Sequence, residues 1–224
     1  MNTQNFTHIK IPISSLHMTK EQKTRHFRAQ KSSFRTRLDL YVFEVALKGK
    51  NQLLLPEFLE FKITDKLVHL YSAAYWQKGQ DETIGHSNLT VKALYENMQA
   101  LKKAHEAEFS QWNNAYAEVY ASIFPLDQFK ALLEQAHCEY CNITEAEIEQ
   151  LGEHGKHFKK SERGWSLEID RKNSNFEYTP ENCVMACYWC NNAKTDEFTF
   201  EEFKEIGKAI GKVWKTRLNM HSKS

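Results

Sequence analysis

The sequence predicts a mostly helical α+β protein whose C-terminal half is organised around a metal-binding cluster of cysteines. A long stretch, 89–124, places apolar residues three and four positions apart with no Gly or Pro inside it, which predicts one long helix. Two Cys-x-x-Cys pairs come later in the chain, Cys138 with Cys141 and Cys187 with Cys190. Two such pairs are an economical way to present four thiolates to one structural zinc ion, at about 2.3 Å from each sulfur.

The first part of the chain, 1–125, is predicted to be a helical region. The segment 38–47 is strongly apolar and fits either a strand or a helix, because a short apolar run does not distinguish the two. The segment 56–61 is predicted to be a short helix that starts at its proline. The composition of 78–88, rich in Gly, Asp, Gln and Ser, predicts a loop. His105 lies on the long apolar stripe and is predicted to be a core or edge histidine.

The net charge of the chain is only +1, but the segment 20–37 is strongly basic. It contains seven basic residues and a single acid, Glu21. Clustered positive charge can bind phosphates even when the total charge is near zero. The alternative is a solvated basic arm. The basic residues are Lys20, Lys23, Arg25, Arg28, Lys31, Arg35 and Arg37.

The sequence also argues against export and membrane insertion. Its first residues are mixed and polar and do not resemble a signal peptide, and no window approaches 18 consecutive apolar residues. Paired cysteines in a chain without an export signal favour metal binding over disulfides. We therefore expect a cytoplasmic protein that does not interact with membranes.

The second part, 126–224, is predicted to be a zinc-centred region that packs on the first, since no Gly-, Pro- or Ser-rich linker separates the two. A short helix is predicted over 126–136. Thr199 and Glu202 match a capping box, which predicts a C-terminal helix through about residue 218. The fifth cysteine, Cys183, is predicted to be a small buried residue, with a role as an alternative zinc ligand left open.

Three short runs, in a fixed order, carry a resemblance to a known superfamily. They are Asp170-Arg171, then Tyr178-Thr-Pro-Glu-Asn182, then Cys187-Tyr-Trp-Cys190-Asn191-Asn-Ala-Lys194. This ordered set resembles the HNH (ββα-metal) endonuclease superfamily, and within it the zinc-stapled subgroup that includes phage recombination endonuclease VII. The resemblance covers about residues 137–200.

The resemblance implies a two-stranded hairpin with a helix packed across it and one divalent cation between them. By position, Asp170 at the end of the first strand and Asn191 at the start of the helix would hold Mg²⁺ or Mn²⁺, which prefer oxygen ligands. Asn182 would tie the connecting loop by backbone hydrogen bonds. Lys194, one helical turn after Asn191, would meet a phosphate.

The implied activity is hydrolysis of phosphodiester bonds in nucleic acid, in DNA by default and in RNA as a further option. The superfamily has its histidine base directly after the aspartate, where this chain has Arg171. Arginine stays protonated and does not act as a general base. We expect Arg171 to clamp a phosphate, and the base to be a metal-bound hydroxide, His154 or His157.

Two other functions stay open at this point. A non-catalytic, zinc-dependent nucleic-acid-binding module is favoured by the missing histidine, with phosphates held by the basic segment 20–37 and by residues of the insert. Those residues are Arg171, Lys172, Lys159, Lys160 and Arg163. A protein-interaction domain with a scaffolding zinc is the third reading. By analogy, a nuclease with a separate helical region suggests a phage-defence effector that acts with a protein partner or as a homodimer.

Overall fold

The computed structural model describes residues 18–77, 80–85, 88–155 and 164–220. This part of the chain consists of helices and one small two-stranded sheet, which confirms the predicted mostly helical α+β class. The helices are α1 (Lys20–Leu47), α2 (Leu55–Glu60), α3 (Asp65–Trp76), α4 (Val91–Ala104), α5 (Phe109–Ile123), α6 (Leu126–Leu133), α7 (Glu145–Glu153), α8 (Tyr188–Lys194) and α9 (Phe200–Asn219). The strands are β1 (Glu168–Arg171) and β2 (Cys183–Ala186).

The longest helix is α1, which begins at a capping box. The Thr19 hydroxyl accepts a hydrogen bond from the Gln22 amide, and the Gln22 side chain accepts one from the Thr19 amide. The apolar segment 38–47 forms the C-terminal turns of α1 and is mostly buried. Gly49 follows the helix with a φ of +66°, a backbone conformation that favours glycine.

The prediction of one continuous helix over 89–124 is wrong. The segment contains α4 and α5, separated by His105 and a short 3₁₀ turn over Glu106–Glu108. The His105 ring holds this break in place, because its Nε2 accepts a hydrogen bond from the Leu53 amide at 3.3 Å. The apolar residues keep their spacing of three and four across the turn, so the sequence pattern does not reveal the break between the two helices. His105 is an edge histidine, as expected, with 13% of its side chain exposed.

Three shorter helices confirm their predictions with small shifts at the ends. The segment 56–61 lies within and just beyond α2, and the prediction over 126–136 corresponds to α6. The predicted capping box is present at the start of α9, where Thr199 accepts from the Glu202 amide and Glu202 accepts from the Thr199 amide. The described part of 78–88 has turns and one isolated bridge, between Thr83 and Thr90.

An aromatic cluster packs α1 against α2 and α5. Phe58 of α2 is fully buried at its centre. Its ring contacts those of Phe34, Tyr41, Trp112 and Tyr116, with centroids 5.3 to 6.0 Å apart. Aromatic pairs at such distances add to the stabilisation that burial alone provides. This packing therefore holds α1 in a fixed position against α2 and α5.

The small sheet pairs β1 antiparallel to β2, with Asp170 opposite Val184. Because side chains alternate across a strand, Glu168 and Asp170 project from one face of β1. All four residues of β2 are buried. Cys187 is the N-cap of α8, which directly follows β2 and packs on β1. The two strands and α8 form a ββα unit.

A buried charge network joins α1 to the β1–β2 connection. The Arg37 Nε and Nη2 atoms donate to the two carboxylate oxygens of Glu177 at 2.9 and 3.1 Å. The Arg37 Nη1 atom also donates to carbonyls at the end of α2, and the Tyr116 hydroxyl donates to Glu177 at 2.5 Å. Both charges are almost fully buried, and their hydrogen-bonding groups are satisfied, which offsets the desolvation cost.

A further link between the two regions is the Tyr178 amide, which donates to the Ser33 hydroxyl of α1 at 2.9 Å. The boundary between 1–125 and 126–224 stays a prediction. Within the described residues, no helix is both long and apolar enough to cross a membrane.

Removing one partner of the buried pair should destabilise the protein strongly. We expect Glu177→Ala to lower the free energy of unfolding by about 3–5 kcal/mol, because it leaves the Arg37 charge buried without a counter-ion. Glu57→Ala, which breaks the exposed Lys50–Glu57 pair, should cost less than about 1 kcal/mol. Urea denaturation of both variants measures the difference, and equal losses would contradict this account of the network.

Candidate functional site

The four paired cysteines converge on one point in the core. Their Sγ atoms all lie within 4.8 Å of one another, and Cys141 and Cys187 approach to 3.6 Å. Four sulfurs around a zinc ion at about 2.3 Å lie roughly 3.8 Å apart in a tetrahedron. All four cysteines are buried. The cluster therefore has the donor type and spacing to hold a metal ion such as zinc.

Each cysteine pair is positioned by a tight local turn. In the first pair, the Cys138 amide donates to the Ile143 carbonyl, and Asn142 has a φ of +60°, which asparagine tolerates better than most residues. The Glu139 amide donates to the Met185 carbonyl, which fastens this turn to β2. The second pair opens α8. A metal ion bound to the cluster would therefore tie the start of α8, directly after β2, to the turn of the first pair.

Helix α9 covers the first cysteine pair at very close range. A Cβ atom at Gly207 would lie 2.7 Å from the Tyr140 carbonyl oxygen, and one at Gly211 would lie 2.5 Å from the Cys141 carbonyl oxygen. The two glycines are four residues apart and therefore lie on one face of α9. A larger residue at either position would push the helix away from the cysteine turn.

The thiols of the cluster perturb one another, whereas Cys183 behaves as an isolated buried thiol. Hydrogen bonds from Cys141, Cys187 and Cys190 lower the pKa of Cys138. Burial raises the pKa of Cys183 to about 12, so its thiol stays protonated at neutral pH. Cys183 lies outside the four-cysteine cluster, in agreement with its prediction as a small buried residue.

Asp170 is a buried carboxylate next to the cluster. Its Oδ2 accepts a hydrogen bond from the Tyr140 hydroxyl at 2.6 Å and lies 3.6 Å from the Lys194 ammonium. Burial raises the pKa of Asp170, while Tyr140, Lys194 and Arg171 oppose that rise. These contacts hold the carboxylate in one orientation and engage only one of its two oxygens.

Asn191 lies in the first turn of α8 and is oriented by Glu168. Its amide nitrogen donates to the Glu168 Oε2 atom at 2.7 Å, which leaves its Oδ1 atom as an acceptor. Glu168 is two residues before Asp170 on the same face of β1. Three oxygen-bearing side chains, from Glu168, Asp170 and Asn191, therefore line one cleft.

Glu168 was not predicted as a site residue. The alternation of side chains along a strand that ends in Asp170 was the signal that could have identified it. Tyr140 was missed as well, and the sequence gives no indication that its hydroxyl reaches Asp170.

The cleft has a volume of about 1000 Å³ and separates β1 from the N-terminal half of α1. Its α1 wall is rich in positive charge, and its β1 wall carries the oxygen donors. From α1 it is lined by Lys20, Glu21, Thr24, Arg25, Arg28 and Ala29; from elsewhere, by Ser166, Leu167, Glu168, Ile169, Asp170, Arg171, Ser174, Tyr178, Asn191 and Thr195.

Arg171 lines this cleft but is held by protein contacts. Its Nη1 atom donates to the Thr36 hydroxyl at 3.2 Å and to the Phe176 carbonyl at 2.9 Å. Its guanidinium lies 4.8 Å above the Tyr178 ring. Arg171 thus joins β1 to α1 and to the β1–β2 connection, and its role as a phosphate clamp stays a prediction.

Lys194 does not occupy the position expected for a phosphate contact. Only 1% of it is exposed, and its ammonium donates to the Arg171 carbonyl at 2.8 Å, beside Asp170. The spacing of three residues places Lys194 on the same face of α8 as Asn191. It does not indicate that β1 covers Lys194 on this face. In this position its charge compensates Asp170.

Asn182 holds the β1–β2 connection through its side chain. Its amide nitrogen donates to the carbonyls of Asn173 and Glu177 at 3.0 and 2.8 Å, and its Oδ1 accepts from the Asn173 amide at 2.9 Å. These are backbone hydrogen bonds of the kind that the resemblance implied for this asparagine.

Of the two candidate histidines, the structure describes only His154. His154 is the C-cap of α7 and does not line the cleft. His157 lies outside the described residues, as do Lys159, Lys160 and Arg163. Of the residues described, no histidine lines the cleft.

Comparison with known proteins gives one similarity. No protein-family model and no curated protein matches the chain. Among solved structures, the chain is similar to the rare-cutting HNH restriction endonuclease PacI, with 30% sequence identity over 61% of this chain and 88% of that one. The TM-score of this match is 0.36. At that score the likeness does not establish a shared fold, and the geometry of the site remains the basis for a function.

The cysteine cluster predicts a metal content that can be measured. We expect one zinc ion per chain, and we expect Cys187→Ala to lose it and to melt at a lower temperature, because metal binding contributes to folding free energy. Cys183→Ala changes an equally buried thiol outside the cluster and should keep the zinc. Inductively coupled plasma mass spectrometry measures both variants. Full zinc content in Cys187→Ala would contradict the assignment.

Proposed function

We propose that this protein is a metal-dependent endonuclease of HNH type that hydrolyses phosphodiester bonds of nucleic acid, with DNA as the default substrate. The observation that carries the proposal is the convergence of Asp170, Asn191 and Glu168 on one cleft whose opposite wall is basic. The order of sequence motifs over 137–200 points to the same chemistry. The phage-defence setting, RNA cleavage and a protein partner or second copy stay predictions.

The two sets of ligands suit two different metal ions. The four buried thiols suit a structural zinc ion. The carboxylate of Asp170 and the Oδ1 atom of Asn191 are hard oxygen donors that suit Mg²⁺ or Mn²⁺. Such an ion, when bound, supplies positive charge to the oxygens of the phosphate under attack.

The residues of the cleft supply the remaining parts of a hydrolysis reaction. A water oxygen forms a bond to phosphorus while the bond from phosphorus to the leaving sugar oxygen breaks. The water proton passes to a base, and the leaving oxygen takes up a proton from solvent. Glu168 is a carboxylate in the cleft on the Asp170 face, so we assign it as the proton acceptor. Tyr140 and Lys194 hold Asp170 in position.

A second function, binding without cleavage, is favoured by one observation. Arg171 occupies the position of the superfamily's histidine base, and its guanidinium is engaged by Thr36 and Phe176. In that case the cleft would hold a backbone phosphate without activating water. A cleavage assay distinguishes the two functions.

Purified protein should nick plasmid DNA in the presence of Mg²⁺ or Mn²⁺, and Asp170→Asn should lower the rate at least about 100-fold. The reason is that the amide lacks the charge that holds the cation. The matched control is Asp39→Asn, because Asp39 also pairs with a lysine, Lys102, but lies away from the cleft. Nicking rates measure the effect, and thermal melting verifies folding. Binding without nicking under every divalent ion would favour the second function.

Replacing the base should slow cleavage and alter its pH dependence. We expect Glu168→Gln to lower the rate about 10²- to 10⁴-fold and to remove the rise in rate with pH that deprotonation of a base produces. Glutamine keeps an oxygen that can accept from Asn191, so the site geometry is retained. The double variant His154→Ala/His157→Ala is the comparison. If it loses activity while Glu168→Gln keeps it, a histidine is the base.

A further inference from the structure

A stripe of four basic side chains and one threonine on α1 continues beyond the cleft. Lys20, Thr24, Arg28, Lys31 and Arg35 are spaced by four, four, three and four residues, which places them along one face of the helix. All five are exposed. We call these residues the α1 stripe. Lys20, Thr24 and Arg28 line the cleft, and Lys31 and Arg35 extend the same face away from it.

The α1 stripe is distinct from the other basic residues of 20–37. The Arg25 guanidinium donates to the Leu167 carbonyl and pairs with Glu21, so it fastens α1 to the segment that precedes β1. Arg37 is buried against Glu177. Lys23 lies roughly 100° around the helix from the middle of the stripe. The structure thus separates basic residues with structural contacts from those that face solvent.

The four charges of the α1 stripe lie at the surface of the structure. Lys20, Arg28 and Arg35 form no ion pair with any residue that the structure describes. The Lys31 ammonium lies 4.8 Å above the exposed ring of Phe27, a contact that holds the charge at the surface without neutralising it. Four like charges along one helical face repel one another, so an anion that binds all of them relieves an unfavourable arrangement.

The dimensions of the stripe fit a nucleic-acid backbone. From Lys20 to Arg35 it spans about 22 Å at ~1.5 Å per residue. One strand of a duplex places a phosphate every ~3.4 Å along the axis, or about six phosphates over that length. The stripe begins at the cleft that holds Asp170 and Asn191. A strand with one phosphate at these ligands can therefore continue along α1.

We propose that the α1 stripe is a docking track for the sugar–phosphate backbone that flanks the cleaved phosphate, contacting it without regard to base sequence. This inference rests on the proposed function, because it takes the cleft between β1 and α1 as the place where the strand is cut. Contacts of this kind supply affinity and register, whereas base contacts supply sequence specificity.

The test compares two triple variants with the same change of charge. Arg28→Gln/Lys31→Gln/Arg35→Gln removes three of the four exposed charges of the stripe, and Lys208→Gln/Lys212→Gln/Lys215→Gln removes three exposed lysines of α9. Both are made in an Asp170→Asn background, so that a labelled 16-base-pair DNA duplex or its single strand stays intact. Fluorescence anisotropy gives Kd between 50 and 200 mM NaCl.

The stripe variant should lose about 2–3 units of slope in log Kd against log salt, since each lost phosphate contact removes ~0.9 for a duplex and ~0.7 for a single strand. The ratio of its Kd to that of the Asp170→Asn parent should therefore fall roughly 20- to 40-fold between 50 and 200 mM salt. The α9 variant should keep the parent's slope. Arg28→Lys/Lys31→Arg/Arg35→Lys, which conserves the charges, should keep it as well.

Equal slopes for the stripe variant and the parent, or equal losses in both triple variants, would overturn the docking track. Failure of the proposed function gives a different result. If the wild-type protein never cleaves DNA but the stripe variant alone loses salt dependence, the track stands as a binding surface. If the wild-type protein cleaves and the slopes are equal, only the track is excluded.

Discussion

The four-cysteine cluster is the constraint on which the rest of the C-terminal region depends. The sheet has two strands of four residues each, and an isolated hairpin of that size is marginally stable at best. The cluster brings the start of α8 to the first cysteine turn, where a metal ion bound to all four sulfurs would tie the two together. Helix α9 packs on that turn so closely that Gly207 and Gly211 leave no room for a side chain. The relative positions of Asp170 on β1 and Asn191 on α8 follow from this arrangement.

The helical region provides the second constraint, because the cleft exists only where α1 lies against β1. Four contacts help to hold α1 there: the buried Arg37–Glu177 pair and the Arg171–Thr36, Arg25–Leu167 and Tyr178–Ser33 hydrogen bonds. Arginine suits such positions, since its planar fork donates several hydrogen bonds in fixed directions and keeps its charge. Basic residues of α1 thus serve two purposes, and burial separates the structural ones from those that face solvent.

The sequence predicted features that depend on local spacing, and it missed features that depend on distant partners. Paired cysteines and the Thr199 capping box report local geometry directly. The break at His105 was missed because the apolar stripe continues across it, while the hydrogen bond that marks it comes from distant Leu53. The burial of Lys194 was missed for the same reason: helix spacing gives a face, but not the strand that covers it. Glu168 could have been predicted as a site residue, because side chains two positions apart on a strand lie on the same face and Asp170 is two residues later.

The most direct test of this account is a crystal of the protein grown with Mn²⁺, with anomalous scattering recorded at the zinc and manganese edges. The account predicts one zinc peak among Cys138, Cys141, Cys187 and Cys190, and one manganese peak contacting the carboxylate of Asp170 and the amide oxygen of Asn191. A well-ordered Asp170 and Asn191 with no manganese peak between them, at a concentration that supports cleavage, would contradict it.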